Sequence, residues 1–328
     1  MPGSIIHNTL ASMGRYLHGK HMEPLGLRNT MRMAKRFNRL RRGKFHKYRS
    51  AQYRDHFDEL IRENGAPSLP IIEMKDGLAL DSSGKLPYLD EMLREADRII
   101  EERGQIQKKA TGSSRSFFQN ILERGDLEKY PSILNFVLSS EVLSTVCNYL
   151  KTIPILSVTL PPGVRLAESN AKYDNSPPGV FRESQFYHLD HHDRPMAYVI
   201  VLLRDVSIQS GPFTYMSQSA SARAAKAMNY QSRPVNYRVT DEQMYAAIDK
   251  NESHEFTCPC GTVLFIDSSE CFHYGSRNAV IPRYQMMYAF TTVCRSDFTE
   301  LFMDPLKYKT QSSDSQLRRM VLEKDYLA

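Results

Sequence analysis

The stretch Gln185-Phe-Tyr-His188-Leu-Asp190-His-His-Asp193 decides how the second half of the chain is read. In an extended strand, residues i and i+2 leave the same face. His188 and Asp190 then aim at one point, while Leu189 turns to the other side. One imidazole and one carboxylate converging in this way make two-thirds of a facial metal site. H-x-D alone is a common pattern, and His191-His-Asp193 is an overlapping second match. The first match continues the strand. Residues 191–195, ending in Arg194-Pro195, read as the loop that follows. Asp193 is therefore expected to hydrogen-bond within that loop. His191 and His192 are expected to stand in solvent, near enough to touch a substrate.

Outward from this string the chain breaks into short, β-branched segments at 155–160, 164–173, 184–190, 196–203, 212–216, 262–267 and 284–293. Strands at this spacing after a helical first third predict an α+β chain, with helices packed on a β-sandwich or jelly roll. Residues 218–250 interrupt the strands and are expected to form a lid-like insertion containing the helix SASARAAKAM. Upstream, residues 28–64 lack proline and stop before Gly65, and Gly43 is predicted to divide them into two helices. Residues 66–86 read as irregular. A helix is predicted from Pro87 to Gly104, with Leu89, Met92, Leu93, Ala96, Ile99 and Ile100 on one face. Another is predicted from Pro131 to Pro154. The expected organisation is a basic helical segment at 1–65, a helical buttress at 66–153 and a strand-rich core at 154–328.

A second string completes the site. Gly261-Thr-Val-Leu-Phe-Ile-Asp267-Ser-Ser-Glu-Cys-Phe-His273-Tyr-Gly275 reads as a strand, then a tight turn delivering a histidine. His273 would be the third ligand, leaving open positions on an iron for a co-substrate and O₂. Ten residues on, Arg283 opens the last strong strand. A guanidinium can clamp a carboxylate through two parallel hydrogen bonds. That is what the far carboxylate of 2-oxoglutarate needs while its 2-oxo acid end chelates iron.

Composition sets the class. At 41% apolar and 24% charged, the 328 residues read as an ordinary globular protein with enough chain for a sizeable core. No run of about 18 apolar residues predicts a membrane span, and the N-terminus lacks the apolar region of a secretory signal. An odd number of cysteines, five, points to reduced thiols and a cytoplasmic setting. Cys258-Pro-Cys260 has no second pair, so a turn before a strand is expected there and not a zinc site. Residues 1–60 carry 13 Lys/Arg against 4 Asp/Glu, so the basicity of the +6 chain lies in this segment alone. Residues 28–54 hold 11 of those cations, and Met33, Ala34, Phe37 and Leu40 share a helical stripe. The stripe either docks this helix on the body or leaves it to make weak contact with an anionic surface. No specific nucleic-acid motif is present.

From Ser184 to Thr292 the chain resembles the phytanoyl-CoA dioxygenase-like branch of the iron(II)/2-oxoglutarate oxygenases. The marks are S-Q-F-Y-H-L-D-H-H-D, L-L-R-D-V-S-I-Q-S-G-P-F-T-Y-M, G-T-V-L-F-I-D-S-S-E-C-F-H-Y-G and P-R-Y. The middle string usually continues into P-G-S-H. Here it reads Ser217-Gln-Ser-Ala, which puts that part of the pocket wall in doubt. The resemblance implies a double-stranded β-helix (jelly-roll, cupin-like) core with N-terminal helices packed on one sheet. It implies His188, Asp190 and His273 as iron ligands and Arg283 as the oxoglutarate anchor. A second oxoglutarate contact is expected from the strand before H-x-D, with Asn170 the candidate and Lys172 next. Asp190, where halogenating relatives lack the carboxylate, implies a hydroxylase or related oxidase. A small molecule is the expected substrate; the alternatives are a membrane-bound lipid or other polyanion reached through the basic segment, or a non-enzymatic metal-binding relative.

Overall fold

Side-chain alternation along the central strands sets the layers of the protein. In the computed structural model, which describes residues 26–106, 117–123, 125–158, 163–173, 179–230, 237–301 and 307–327, two antiparallel sheets form. The main sheet runs in the order β1 (Leu78–Asp81), β8 (Val263–Ile266), β5 (Ala197–Leu202), β10 (Arg283–Thr291), β4 (Val164–Ser169) and β2 (Phe118–Asn120), with β3 (Ile155–Leu156) also paired to β10. The second sheet is β7 (His254–Glu255), β6 (Thr214–Tyr215) and β9 (His273–Tyr274). A bridge between His188 and His273 adds the H-x-D string beside β9. The chain therefore crosses from sheet to sheet as it advances: β4 in the main sheet, residue 188 in the second, β5 main, β6 and β7 second, β8 main, β9 second, β10 main. That alternation is the double-stranded β-helix.

On β5, Val199 and Val201 face outward and Tyr198, Ile200 and Leu202 face the second sheet. The outward face is covered by helices. α1 spans Leu27–Asn64, α2 Leu89–Arg103, α3 Asp126–Lys129, α4 Ser132–Val137 and α5 Ser140–Leu150. α2 buries Leu89, Met92, Ala96, Ile99 and Ile100, the expected stripe except Leu93, which is half-buried, in one cluster with Val201, Val263, Phe265 and Met286. A short C-terminal helix, Gln316–Leu322, adds Leu317, Met320 and Val321 to the same core. The inward face builds a second cluster that includes Met196, Phe213, Phe256 and Ile266.

Several boundaries differ from expectation. Gly43 does not divide α1, which is one helix of 38 residues. An interior glycine costs about 1 kcal/mol, and contacts on both sides offset it. Asn38 donates to the carbonyls of Arg295 and Asp297 at 2.8 and 2.9 Å, and Arg49 donates to the carbonyl of Glu323 at 2.7 Å. Leu40 is not part of the docked face; it is 87% exposed, and Met31, Ala34 and Asn38 are buried instead. The helix after Pro131 is two helices, broken at Ser139, whose ψ of 151° is extended. Asn64 at the end of α1 supplies the cause, donating to the Leu138 carbonyl at 2.9 Å and so capping α4. Residues 78–81, read as irregular, form β1, and 118–120 form an edge strand that was not expected. The predicted strand at 164–173 stops at Ser169 and turns into a 3-10 helix over Ala171–Tyr173.

The insertion at 218–250 contains two helices, α6 (Gln218–Ala227) and α7 (Asp241–Ala247). The departure at Ser217 has a local meaning. Ser217 caps α6, its hydroxyl accepting from the Ala220 N–H at 3.3 Å. Residues 231–236 of the insertion lie outside the described residues. Cys258 and Cys260 sit in the turn that leads to β8, and both are free thiols. No described helix is long and apolar enough to cross a membrane.

Candidate metal and co-substrate site

The two histidine strings are neighbours through their backbones. His188 N–H donates to the His273 carbonyl at 3.0 Å, and His273 N–H donates to the His188 carbonyl at 3.1 Å. Asp190 N–H is fixed by the Ser268 carbonyl at 2.8 Å. The Phe272 N–H, just before His273, donates to Ser221 Oγ of α6 at 2.7 Å. One ligand atom each from His188, Asp190 and His273 then lies within 4.8 Å of the others, the only such group among the described residues.

The tautomers follow from the hydrogen bonds. His188 Nδ1 lies 2.8 Å from the Phe186 carbonyl, and His273 Nδ1 lies 3.0 Å from the Cys271 carbonyl. A carbonyl only accepts, so Nδ1 carries the proton in each ring and the Nε2 lone pair is left free. Both Nε2 atoms stand 3.9 Å from Asp190 carboxylate oxygens. Burial, then repulsion from His273, pushes the His188 imidazolium well below its ordinary range, which favours the neutral ligand form. Burial works against the Asp190 carboxylate, but His273 and His188 outweigh it and hold the group below the usual carboxylate range. Lone pairs and negative charge thus face one small volume, which is the donor set a divalent cation needs.

Arg283 lines the same cavity, whose volume is about 330 Å³. It is 1% exposed, and burial pushes its guanidinium down to about 9, still charged at neutral pH. Nη2 makes long contacts to Ser169 Oγ and Ser276 Oγ, at 3.3 and 3.4 Å. Nε and Nη1 have no hydrogen-bond partner among the described residues. Two residues along β10, Gln285 Nε2 is also buried in this cavity, again with no partner among the described residues. Unmade hydrogen bonds on buried donors cost about 1–3 kcal/mol each, more on a charged group. An incoming carboxylate would satisfy them, so the residues fit a dicarboxylate that reaches from the metal ligands to Arg283.

Asn170 does not line this cavity. Its Oδ1 accepts from the Lys172 N–H at 3.0 Å and its Nδ2 faces Glu168, because the strand ends one residue earlier. Gln285, which sequence reasoning missed, stands there instead. The overlapping pair does not converge either. Asp193 is fully buried and accepts from Lys35, the Arg194 and Thr292 N–H groups and the hydroxyls of Thr292 and Ser296. His192 is not a solvated loop residue. It lines the cavity, and its Nδ1 lies 3.0 Å from Asp297, which Arg295 grips at 2.7 and 2.9 Å.

No protein-family model matches the chain, and no curated protein matches it. Solved structures overlap with it loosely. The epimerase SnoN in complex with Fe³⁺, alpha ketoglutarate and nogalamycin RO is 11% identical, covering 66% of this chain and 79% of that one, with a TM-score of 0.41. EctD from S. alaskensis with 2-oxoglutarate and 5-hydroxyectoine is 13% identical, covering 66% and 72%, with a TM-score of 0.43. EvdO2 from Micromonospora carbonacea var. aurantiaca is 13% identical, covering 72% and 90%, with a TM-score of 0.39. Overlap this loose does not carry chemistry from one chain to another.

Proposed function

We propose that the chain is an iron(II)- and 2-oxoglutarate-dependent dioxygenase that hydroxylates, or otherwise oxidises, an unactivated C–H bond of a small organic molecule. The observation that carries this reading is one cavity holding both a two-imidazole, one-carboxylate ligand set and a buried arginine with unused N–H groups. His188, Asp190 and His273 would hold iron on one face, leaving open positions. Arg283, helped by Gln285, would hold the far carboxylate of oxoglutarate. When bound, the iron would activate O₂, the oxidant, with two electrons from the oxidative decarboxylation of oxoglutarate to succinate and CO₂ and two from the substrate C–H bond.

The chain's own part is placement and exclusion of water. The Phe186 and Cys271 carbonyls hold both imidazoles in the tautomer that frees Nε2. Tyr198, Ile200, Phe213, Ile266 and Met287 form the apolar part of the remaining wall and would keep water from the reacting carbon. All five cysteines are free thiols, which fits a reducing, cytoplasmic setting. The test is anaerobic addition of iron(II) and then oxoglutarate. A visible charge-transfer absorption should develop only with both present, and succinate should form on exposure to air. Absence of both signals in folded protein rejects the reading.

A further inference from the structure

The cavity beside the metal ligands is lined by three arginines, Arg165, Arg238 and Arg283, and by only two carboxylates, Asp190 and Glu183. Their charges can be matched in turn. A metal dication, Asp190, a dianionic oxoglutarate and Arg283 sum to zero. Arg238 faces Glu183 at 3.8 Å. Arg165 is left over. Among the described residues no carboxylate lies within ion-pair distance of it. Its Nη2 reaches the Tyr198 hydroxyl at 3.4 Å, its guanidinium lies 5.9 Å from the Phe118 ring centroid, and its Nε is buried without a partner.

Strand register separates Arg165 from the co-substrate anchor. Arg165 on β4 pairs with Met287 on β10, four residues along from Arg283. An even separation puts both side chains on the cavity face, about 13 Å of strand apart. Removing a cation from water without a counter-charge is costly. A half-buried arginine in this position is explained if an anion enters the cavity with the substrate.

We propose that Arg165 is a specificity-determining residue that binds an anionic group, a carboxylate or a phosphate, on the substrate. The proposal rests on the oxygenase reading for its charge balance. The site takes a small acid whose oxidised carbon sits between the metal and Arg165, and it discriminates against the uncharged amide of the same shape.

The experiment uses the full chain with manganese(II) and oxoglutarate, which bind without turnover. Unfolding temperature is measured against acetate, inorganic phosphate and uncharged acetamide at constant ionic strength. Acetate or phosphate should stabilise the wild type and acetamide should not; which anion acts identifies the acidic group. Arg165→Gln should weaken anion binding about 10- to 150-fold, the worth of a charge-assisted hydrogen bond. Arg165→Lys, which keeps the charge, should retain most of the response. No anion response in the wild type, or an unchanged one in Arg165→Gln, overturns the proposal and leaves Arg165 as a wall residue stacked on Phe118. An equal loss of oxoglutarate affinity in Arg165→Gln overturns it too, by assigning the residue to the co-substrate. If manganese and oxoglutarate do not bind at all, the oxygenase reading has failed. An anion response that Arg165→Gln abolishes would still support the assignment of Arg165.

Discussion

His188 and His273 each commit Nδ1 to the main-chain carbonyl two residues back, so a single local device sets both proposed ligands. Replacing either histidine, or Asp190, with alanine should abolish iron-dependent succinate formation and leave the far-ultraviolet circular dichroism unchanged, since the backbone bridge between the strings needs no side chain. Full turnover in Asp190→Ala would contradict the ligand assignment. Arg283→Ala should raise the oxoglutarate KM about 30- to 4000-fold, because losing one partner of a buried charged pair costs about 2–5 kcal/mol. Iron affinity should change much less, and an unchanged KM would show that another cation holds the carboxylate. Spacing and chemical type singled out these four residues, and the fold brings them to one cavity. Asn170 was misjudged because its placement depends on where a strand ends, a boundary that Ser169 and Asn170 do not announce. Gln285 was legible in principle. Once Arg283 points into the cavity, strand alternation sends 285 and 287 the same way.

The elements show a similar division. α2 could be read from its own stripe, and β3, β4, β5, β8 and β10 of the main sheet from their β-branched runs, whereas β1 and β2 of the same sheet were not expected. The unbroken α1 and the split at Ser139 could not, because both depend on partners far along the chain. Asn64 caps the Leu138 carbonyl from 74 residues away, and Asn38 holds two carbonyls of the segment after β10 from 257 and 259 residues away. Asn38→Ala would leave both carbonyls without this donor inside the protein. It should cost about 1–3 kcal/mol of stability, measured by urea unfolding, while succinate formation per folded molecule stays normal. A loss below about 0.5 kcal/mol would mean that α1 is held elsewhere. The docked face also bears on the basic segment. With Met31 and Ala34 buried against the body, the large apolar side chains of this stretch left most open are Leu40 and Met33, 87% and 38% exposed. Co-sedimentation with anionic vesicles at low salt should therefore be weak and purely electrostatic, disappearing as salt screens the charges. Pelleting that survives high salt would show that an apolar face reaches the lipid.

At the scale of the whole molecule, the site joins two sheets of unequal strength. The main sheet includes strands of 4, 6, 6 and 9 residues, whereas β6, β7 and β9 have 2 residues each. The proposed metal ligands come from the weak side, at residues 188, 190 and 273, and Arg283 and Gln285, the proposed co-substrate donors, come from the strong side. A metal and an oxoglutarate bound together would link the two sheets, and a ligand that binds only the folded state stabilises it by mass action. At 100 times its dissociation constant, each contributes about 2.7 kcal/mol. With an unfolding entropy near 2.1 cal/mol/K per residue, a chain of 328 residues should gain about 4 °C in Tm per saturating ligand. Calorimetry should show one increment with manganese(II) and a second with oxoglutarate. The order matters, because oxoglutarate chelates the metal and should add little without it. Arg283→Ala should keep the metal increment and lose most of the oxoglutarate one, and His273→Ala should lose both. An oxoglutarate increment of equal size with and without metal would show that the dicarboxylate binds away from His188, Asp190 and His273, and the link between the sheets would have to be abandoned.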